Sequence, residues 1–315
     1  MIFNSLFSYS PHAEILARNI YYRFPSVYNF FSPKSTQRVT SQSFVPFIDG
    51  DFLFNHIRSL PIDKTDILII HSSFNTLIKN AISPSHFIDF LFSDVIPNGT
   101  IVCPTFPLYR NEPRGIARLN DSLYSTPFEY NVQKTRSSTG SLGRFLQSIP
   151  GSRRSLIPLN TVTANGVHVD QIFSSESLTP FLTPCGRHSP WYQLFNLNAK
   201  IMAIGTDLAH SLTMIHVAED SFENLWPVKN WYRNRHFIIK DNDSQFSLDL
   251  RERHPRWSVS YAERSFSRDL FVNHIAQDYS IKDLSLSLTQ SQPLVKFLLS
   301  SRGTYPYYLT NLAAL

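Results

Sequence analysis

The chain has 315 residues, of which 42% are hydrophobic and 17% charged, and its formal net charge is +5. This balance excludes a disordered chain and a collagen-like repeat, and no segment approaches the roughly 18 uninterrupted apolar residues of a membrane span. The sequence therefore predicts a soluble globular protein with no membrane partner.

The charge is distributed unevenly along the chain. Residues 49–225, which contain most of the motifs, carry 13 basic and 15 acidic side chains. A nucleic-acid-binding protein needs a basic working surface, so this slightly acidic region argues against a nucleic-acid partner. The two cysteines, Cys103 and Cys185, cannot form a disulfide framework, and the first residues lack the features of a secretory signal. We therefore expect a cytoplasmic protein.

The predicted elements alternate between helices and strands. Residues 1–45 are predicted to form an N-terminal extension with a helix-prone segment, and residues 46–315 a single α/β domain. Helical spacing and short apolar runs predict, in chain order, a helix at 49–59, a strand at 66–70, a helix at 84–95, strands at 100–103 and 200–204, a helix at 212–222, short strands at 236–240, 246–250 and 257–262, and a helix at 294–299. Such alternation predicts an α/β fold with a mostly parallel central sheet flanked by helices, and with a smaller strand-rich C-terminal part.

Small or polar residues follow three of the predicted strands. Ser72 and Ser73 come after the first strand, Thr105 after the second and Asp207 after the third. Ligands bind beyond the carboxyl ends of parallel strands, so we expect the functional site at this edge of the sheet.

Common nucleotide-binding, hydrolase and zinc-protease motifs are absent, and the 11 histidines do not group with cysteine at metal-ligand spacing. We therefore expect no metal. The segment His71-Ser72-Ser73-Phe74 stands at a predicted junction between a strand and a helix, where free backbone N–H groups attract phosphate. Capping of the helix by a serine would explain the same residues without a ligand.

A second candidate for phosphate binding is the segment from Thr135 to Phe145. It combines several hydroxyl side chains with Gly140, Gly143 and nearby arginines such as Arg154. Only 10 residues of the chain are glycine, so glycines in one loop indicate a tight turn or a close backbone approach. The segment is compatible with binding of a phosphorylated ligand. It is equally compatible with a polar loop ahead of a capped helix that binds no ligand.

The third candidate is the pair formed by His216 and Glu219 on the predicted helix at 212–222. Residues three apart share one face of a helix, so the carboxylate can orient the imidazole, with Asp220 and Glu223 close by. By itself, such a pair is more typical of a protein surface than of a site.

Six segments, in the same order and at plausible spacing, resemble the aminoglycoside 3-N-acetyltransferase family. They are Ile69-Ile70-His71-Ser72-Ser73-Phe74, Cys103-Pro104-Thr105-Phe106, Thr135-x-Ser137-x-x-Gly140-x-Leu142, Pro150-Gly151-x-x-Arg154-Ser155-x-x-Pro158, Cys185-Gly186-x-x-Ser189-Pro190-Trp191, and Ile204-Gly205-Thr206-Asp207 through His216-x-x-Glu219. The resemblance implies an N-acetyltransferase that uses acetyl-CoA and acts on an amino sugar. That sugar would be an antibiotic, as in resistance enzymes, or a precursor of a polysaccharide or metabolite.

The resemblance also implies roles for particular residues. His216 and Glu219 would be catalytic. The residues that would bind CoA are Ser72, Ser73, Phe74, Thr135, Ser137, Gly140 and Arg154. Apart from the resemblance, the acidic middle section suggests residues that would hold the ammonium and hydroxyl groups of the sugar: Glu129, Asp207, Asp220 and Glu223. A homodimer is left open, because the 14% of aromatic residues could serve an interface or the core.

One position departs from the family pattern. The family places a histidine where this chain has Ile157, and an isoleucine cannot accept a proton. Three alternatives follow: His216 is the only base, another histidine such as His188 or His254 takes the role, or the enzyme is weak. The competing hypothesis is a catalytically impaired homologue that binds CoA or a sugar.

Overall fold

The computed structural model describes residues 9–24, 48–73, 77, 82–209, 211–226, 228–300 and 307–308. The described helices are α1 (Pro11–Arg23), α2 (Gly50–Arg58), α3 (Pro84–Phe90, continued by a π-helical turn at Leu91–Val95), α4 (Ser141–Ser148), α5 (Val169–Ile172), α6 (Pro190–Asn196), α7 (His216–Ser221), α8 (Arg256–Val259), α9 (Glu263–Val272) and α10 (Ser291–Ser300). The strands are β1 (Ile67–Ser72), β2 (Thr100–Pro104), β3 (Phe128–Asn131), β4 (Arg153–Arg154), β5 (Val162–Gly166), β6 (Lys200–Ile204), β7 (Tyr232–Asp241), β8 (Ser244–Arg253), β9 (Ala276–Asp278) and β10 (Leu286–Gln290).

Seven strands form the central sheet, in the order β4-β5-β2-β1-β6-β10-β9. The three central strands β2, β1 and β6 pair in parallel, but the other four pairings are antiparallel. The expectation of a mostly parallel sheet therefore needs correction. Short connections without a crossover helix join β4 to β5 and β9 to β10, and such connections produce antiparallel pairs.

Strand β1 shows why the centre of the sheet is buried on both faces. Successive side chains of a strand point to opposite sides. Ile67 and Ile69 accordingly pack in one apolar cluster, while Leu68 and Ile70 pack in another on the opposite face. The continuous apolar run in the sequence reflects this double burial, as expected of a parallel strand in an α/β fold.

A smaller sheet, with the order β3-β7-β8, stands apart from the central one. The hairpin of β7 and β8 confirms the strands predicted at 236–240 and 246–250. The strand predicted at 257–262 is wrong, because Arg256–Val259 form helix α8. There the large side chain of Trp257 is buried against Trp231, and this tertiary contact decides the local structure.

Helix α1 lies within the predicted N-terminal extension and packs on the domain. The carboxylate of Glu14 is buried and accepts hydrogen bonds from the backbone N–H groups of Arg264 and Ser265, at 2.9 and 3.1 Å. These groups belong to the first turn of α9, whose N–H groups lack partners within the helix. The predicted linker near residues 35–43 lies outside the described residues. Among the described helices, none has both the length and the apolar composition needed to cross a membrane.

Candidate active site

The first cavity, of about 570 Å³, lies at the carboxyl ends of β1 and β2 and at the start of α4. Ser72 and Ser73 line it from the end of β1, and Gly140 lines it from the start of α4. Of the residues expected at this edge of the sheet, Ser72 and Ser73 line the cavity, whereas Thr105 and Asp207 do not. Phe74, which the resemblance assigned to CoA binding, lies outside the described residues.

Two glycines allow α4 to begin at this place. Gly140 precedes the helix with φ +92°, a conformation that side-chain-bearing residues rarely adopt. Gly143 lies so close to β2 that an added Cβ would be 2.8 Å from the carbonyl oxygen of Pro104. No side chain caps the start of α4, so the amide groups of its first turn are available to a ligand in the cavity.

The loop ahead of α4 is ordered by its own hydroxyl groups. The Thr139 hydroxyl donates to the carbonyl oxygen of Pro104 at 2.6 Å and lies 2.9 Å from the hydroxyl of Ser137. The Thr135 hydroxyl accepts a hydrogen bond from the backbone N–H of Asn131 at 2.8 Å. Of these three hydroxyl residues, Thr139 lines the first cavity, whereas Thr135 and Ser137 support the loop from behind.

Arg154 is buried beneath the same loop. Its guanidinium group donates to three backbone carbonyl oxygens, those of Thr105 at 2.6 Å, Thr135 at 2.6 Å and Val132 at 3.1 Å. These bonds tie the end of β2 to the loop. The contacts of Arg154 therefore indicate that this side chain organises the cavity wall. The sequence had suggested instead that Arg154 contacts a phosphate.

A second cavity, of about 370 Å³, adjoins the first. Phe106 lines both cavities. Ser138 lines the second cavity and its neighbour Thr139 lines the first. The two spaces are therefore separated by little more than one residue of this loop, and His216 lies in the wall of the second.

His216 and Glu219 form a hydrogen-bonded pair on α7, with 2.8 Å between Nδ1 of the imidazole and Oε2 of the carboxylate. The side chain of Glu219 is fully buried and that of His216 is partly exposed. The hydroxyl of Tyr308 donates to the other oxygen of Glu219 at 2.8 Å, and Arg253 lies 3.7 Å from that oxygen. Burial would raise the pKa of Glu219, but the nearby positive charges of His216 and Arg253 and these hydrogen bonds outweigh it and lower the pKa.

The ionised carboxylate fixes the tautomer of His216. Because a carboxylate only accepts hydrogen bonds, Nδ1 of the imidazole must carry the hydrogen that Glu219 receives. In the neutral imidazole the other nitrogen, Nε2, is then the proton acceptor. The pair thus has the arrangement of a general base and its orienting carboxylate.

Asp220, the next residue, is buried and differently placed. It accepts hydrogen bonds from the backbone N–H of Cys185 at 2.9 Å and from the hydroxyl of Tyr232 at 3.1 Å. Burial and the neighbouring charge of Glu219 raise the pKa of Asp220 to about 8. Two adjacent buried carboxyl groups therefore share a single negative charge, and this charge resides on Glu219.

We predict that Asp220 makes the protein less stable as pH rises. Its pKa is about 8 in the folded state and near 3.8 in the unfolded state, so between these values folding takes up a proton. The free energy of unfolding then falls with pH, by at most about 1.4 kcal/mol per pH unit from this group. Asp220→Asn keeps both hydrogen-bond partners and removes the titration.

Urea unfolding of the native protein and of Asp220→Asn between pH 5 and about pH 8 measures this effect. The variant should gain stability relative to the native protein as pH rises. A constant difference between the two proteins would show that Asp220 is ionised in the folded state.

Comparison with known proteins identifies the family. The sequence profile of the family described as aminoglycoside 3-N-acetyltransferase matches residues 69–301. The chain belongs to this family. No curated protein matches the sequence.

Several solved structures share the fold at low sequence identity. AAC-IIIb, solved as a binary complex with CoASH, matches with a TM-score of 0.65 and 17% identity over 81% of this chain and 96% of that chain. AAC-VIa with bound sisomicin matches with a TM-score of 0.63 and 16% identity, over 82% of this chain and 98% of that chain. YokD from Bacillus subtilis matches with a TM-score of 0.61 and 19% identity, over 79% of this chain and 96% of that chain.

The position at which this family member departs from the pattern is buried. Ile157 is 1% exposed and packs in an apolar cluster with residues of the smaller sheet. Neither alternative histidine lines the second cavity: His188 lies in the wall of a different one, and His254 lies 3.5 Å from Asp121. Among the described residues that line the two cavities, the histidines are His71 and His216.

His71 differs from His216 in its surroundings. It lies on β1 in the wall of the first cavity, and burial lowers its pKa to about 4. Its imidazole is therefore neutral at physiological pH. Its Nε2 atom is buried and has no hydrogen-bond partner among the described residues.

The acidic residues expected to hold the sugar are not gathered in one place. Asp220 lines the second cavity. Glu129 is exposed on β3 and forms an ion pair with Lys240 at 2.9 Å, and Glu223 forms one with Arg251 at 2.6 Å. These two glutamates, together with Asp207, are outside the wall of the second cavity.

The sequence analysis missed the residues that surround Glu219. Tyr308 and Arg253 lie far from it along the chain and no local pattern marks them. Phe106, which lines both cavities, belonged to a segment of the family resemblance but carried no assigned role.

Proposed function

We propose that this chain transfers the acetyl group of acetyl-CoA to an amine of an amino sugar. The observation that carries the proposal is the position of the His216 and Glu219 pair. The pair lies in the wall of the second cavity, which adjoins the first cavity, and the first cavity is suited to CoA. Membership in the acetyltransferase family supports the reaction class.

The residues of the first cavity fit acetyl-CoA. The uncapped start of α4 offers backbone N–H groups to a phosphate, and Ser72 and Ser73 offer hydroxyl groups to the same cavity. Arg144 adds a positive charge to its wall. When bound, acetyl-CoA would supply an activated acyl group as a thioester.

The second cavity would hold the acceptor amine near His216. An alkylamine is mostly protonated at neutral pH, so it must lose a proton before or during its attack on the thioester carbon. His216 would accept that proton at Nε2, and Glu219 would stabilise the imidazolium that forms. As the new C–N bond forms, the C–S bond breaks, and the second proton that the nitrogen must lose passes to the departing thiolate, which gives free CoA.

Tyr308 and Arg253 would keep Glu219 in its ionised, oriented state during this step. Both groups interact with the carboxylate oxygen that His216 does not use. Holding the imidazole in one tautomer and one orientation lowers the cost of bringing it to the amine.

The experiment that tests the proposal combines binding with turnover. We expect purified protein to bind CoA in calorimetry, to release free thiol from acetyl-CoA in the presence of amino sugars, and to yield N-acetylated sugar by mass spectrometry. Absence of CoA binding would contradict the proposal. CoA binding without thiol release across a broad panel of amino sugars would instead support the impaired homologue.

A further inference from the structure

The wall of the second cavity has an unusual balance of charge. Four acidic and four arginine side chains line it: Glu112, Glu219, Asp220, Glu252, Arg114, Arg118, Arg235 and Arg253. A pocket built for a molecule with many ammonium groups needs unpaired carboxylates, because each ammonium must exchange its water for an acceptor. The existing contacts of each acidic group therefore decide whether this cavity can take such a molecule.

None of the four acidic groups is left for an ammonium. Arg235 is buried and donates to Glu112 at 3.0 Å and to Glu252 at 3.0 Å. Glu219 is engaged by its own partners, and Asp220 holds a proton because burial raises its pKa to about 8. Three ionised carboxylates thus face four guanidinium groups.

The arginines, in contrast, retain unused donors. The side chains of Arg114 and Arg118 are exposed at the cavity wall and form no ion pair with any described residue. Guanidinium groups bind carboxylates and phosphates through paired hydrogen bonds, so this wall is suited to an anion.

The segment that carries the two exposed arginines is fixed in place. Arg233 donates to the backbone carbonyl of Arg118 at 2.7 Å, and its guanidinium group lies 3.6 Å from the ring centre of Tyr124. A 3-10 turn at Gly115–Leu119 holds Arg114 and Arg118 at its start and near its end. Both arginines therefore face the cavity from an anchored wall.

We infer that the acceptor is an amino sugar that carries an anionic group, either a carboxylate or a phosphate, and that Arg114 and Arg118 bind this group. The inference rests on the proposed function, since it names the substrate class of the same site. A polycationic aminoglycoside would meet guanidinium groups where it needs carboxylates.

The test compares three ligands that share one sugar ring and one amine with the polycationic sisomicin. The three are glucosamine, glucosamine 6-phosphate and 2-amino-2-deoxyglucuronic acid. Binding of each ligand to the CoA-loaded protein is measured by calorimetry, and thiol release is measured in parallel. We expect the phosphate or the carboxylate sugar to bind at least about tenfold more tightly than glucosamine, since charge-assisted hydrogen bonds have this strength. Which of the two binds better identifies the anion.

Arg114→Gln/Arg118→Gln should remove this preference, reducing binding of the anionic sugar at least about tenfold while glucosamine changes less than about twofold. The matched control is Arg110→Gln/Lys134→Gln, which removes the same charge from exposed residues of a neighbouring cavity. The control should leave the preference intact, and urea unfolding verifies that both variants fold.

Two results would overturn the inference: tighter binding of sisomicin than of either anionic sugar, or an anion preference that survives loss of both arginines. These results are distinguishable from failure of the proposed function. Anion-selective binding without thiol release from any amine would reject the acetyl transfer and support the anion site.

Discussion

Replacing His216 with alanine is expected to lower kcat by about 10²- to 10⁴-fold, the usual contribution of a general base. The imidazole is the proton acceptor that the second cavity offers to an amine, and alanine cannot replace it. Because His216 does not line the first cavity, the dissociation constant of CoA should stay unchanged. Steady-state kinetics with acetyl-CoA and the best amino sugar, together with CoA calorimetry, measure both quantities.

The matched controls for this prediction are His188→Ala and His254→Ala. Both remove a histidine that does not line the second cavity, so kcat should stay within about twofold of the native value, as for other substitutions away from a site. A large loss of kcat in either control, with full activity in His216→Ala, would identify a different base. Glu219→Gln should also reduce kcat, because an amide holds the imidazole less firmly in the required tautomer.

Replacing Arg154 with methionine is expected to destabilise the protein and weaken CoA binding together. Methionine fills a similar volume but leaves the carbonyl oxygens of Val132 and Thr135 without their donor, while the carbonyl oxygen of Thr105 keeps only the hydroxyl of Thr161. Unsatisfied buried polar groups cost about 1–3 kcal/mol each, so the free energy of unfolding should fall by about 2 kcal/mol or more. The loop that forms one wall of the first cavity then loses its fixed shape.

Urea unfolding and CoA calorimetry on the same preparations separate the two roles of Arg154. The control is Arg153→Met, which removes an equal charge from the exposed neighbouring residue and should change neither quantity appreciably. If Arg154→Met weakened CoA binding with unchanged stability, the side chain would contact the ligand directly, as the family resemblance implied.

The two classes of prediction differ in what they require. The role of His216 depends on one hydrogen-bonded pair and one cavity, so a change in kcat tests it. The role of Arg154 depends on hydrogen bonds to several backbone groups, so a change in the free energy of unfolding tests it. Measuring both distinguishes a chemical contribution from an architectural one.

The local features of the fold could be read from the sequence because they depend on neighbouring residues. The apolar, β-branched run at Ile67–Ile70 predicted a buried strand, since a short strand buried on both faces has no polar positions. The spacing of His216 and Glu219 predicted that they share a helix face, and the 2.8 Å contact follows from that geometry. The order of the motif segments was enough to indicate the acetyltransferase family.

Strand direction, however, was decided by tertiary structure. An apolar run specifies burial but carries no information about which neighbour the strand pairs with, so the antiparallel strands β5 and β10 beside the parallel centre were not foreseen. The segment at 257–262 was similarly ambiguous, because its apolar residues are compatible with a strand or with a short helix. The burial of Trp257 in the folded protein favours the helix.

The chemistry of the site shows the same division. The sequence by itself determined which residue types were present, including the histidine, the glutamate, the serines at the end of β1 and the scarce glycines. Only the tertiary structure decided that Tyr308 and Arg253 keep Glu219 ionised, and that Arg235 pairs with Glu112 and Glu252 in the wall of the second cavity. Charge pairing and burial depend on residues distant in the chain, so they are properties of the folded structure alone.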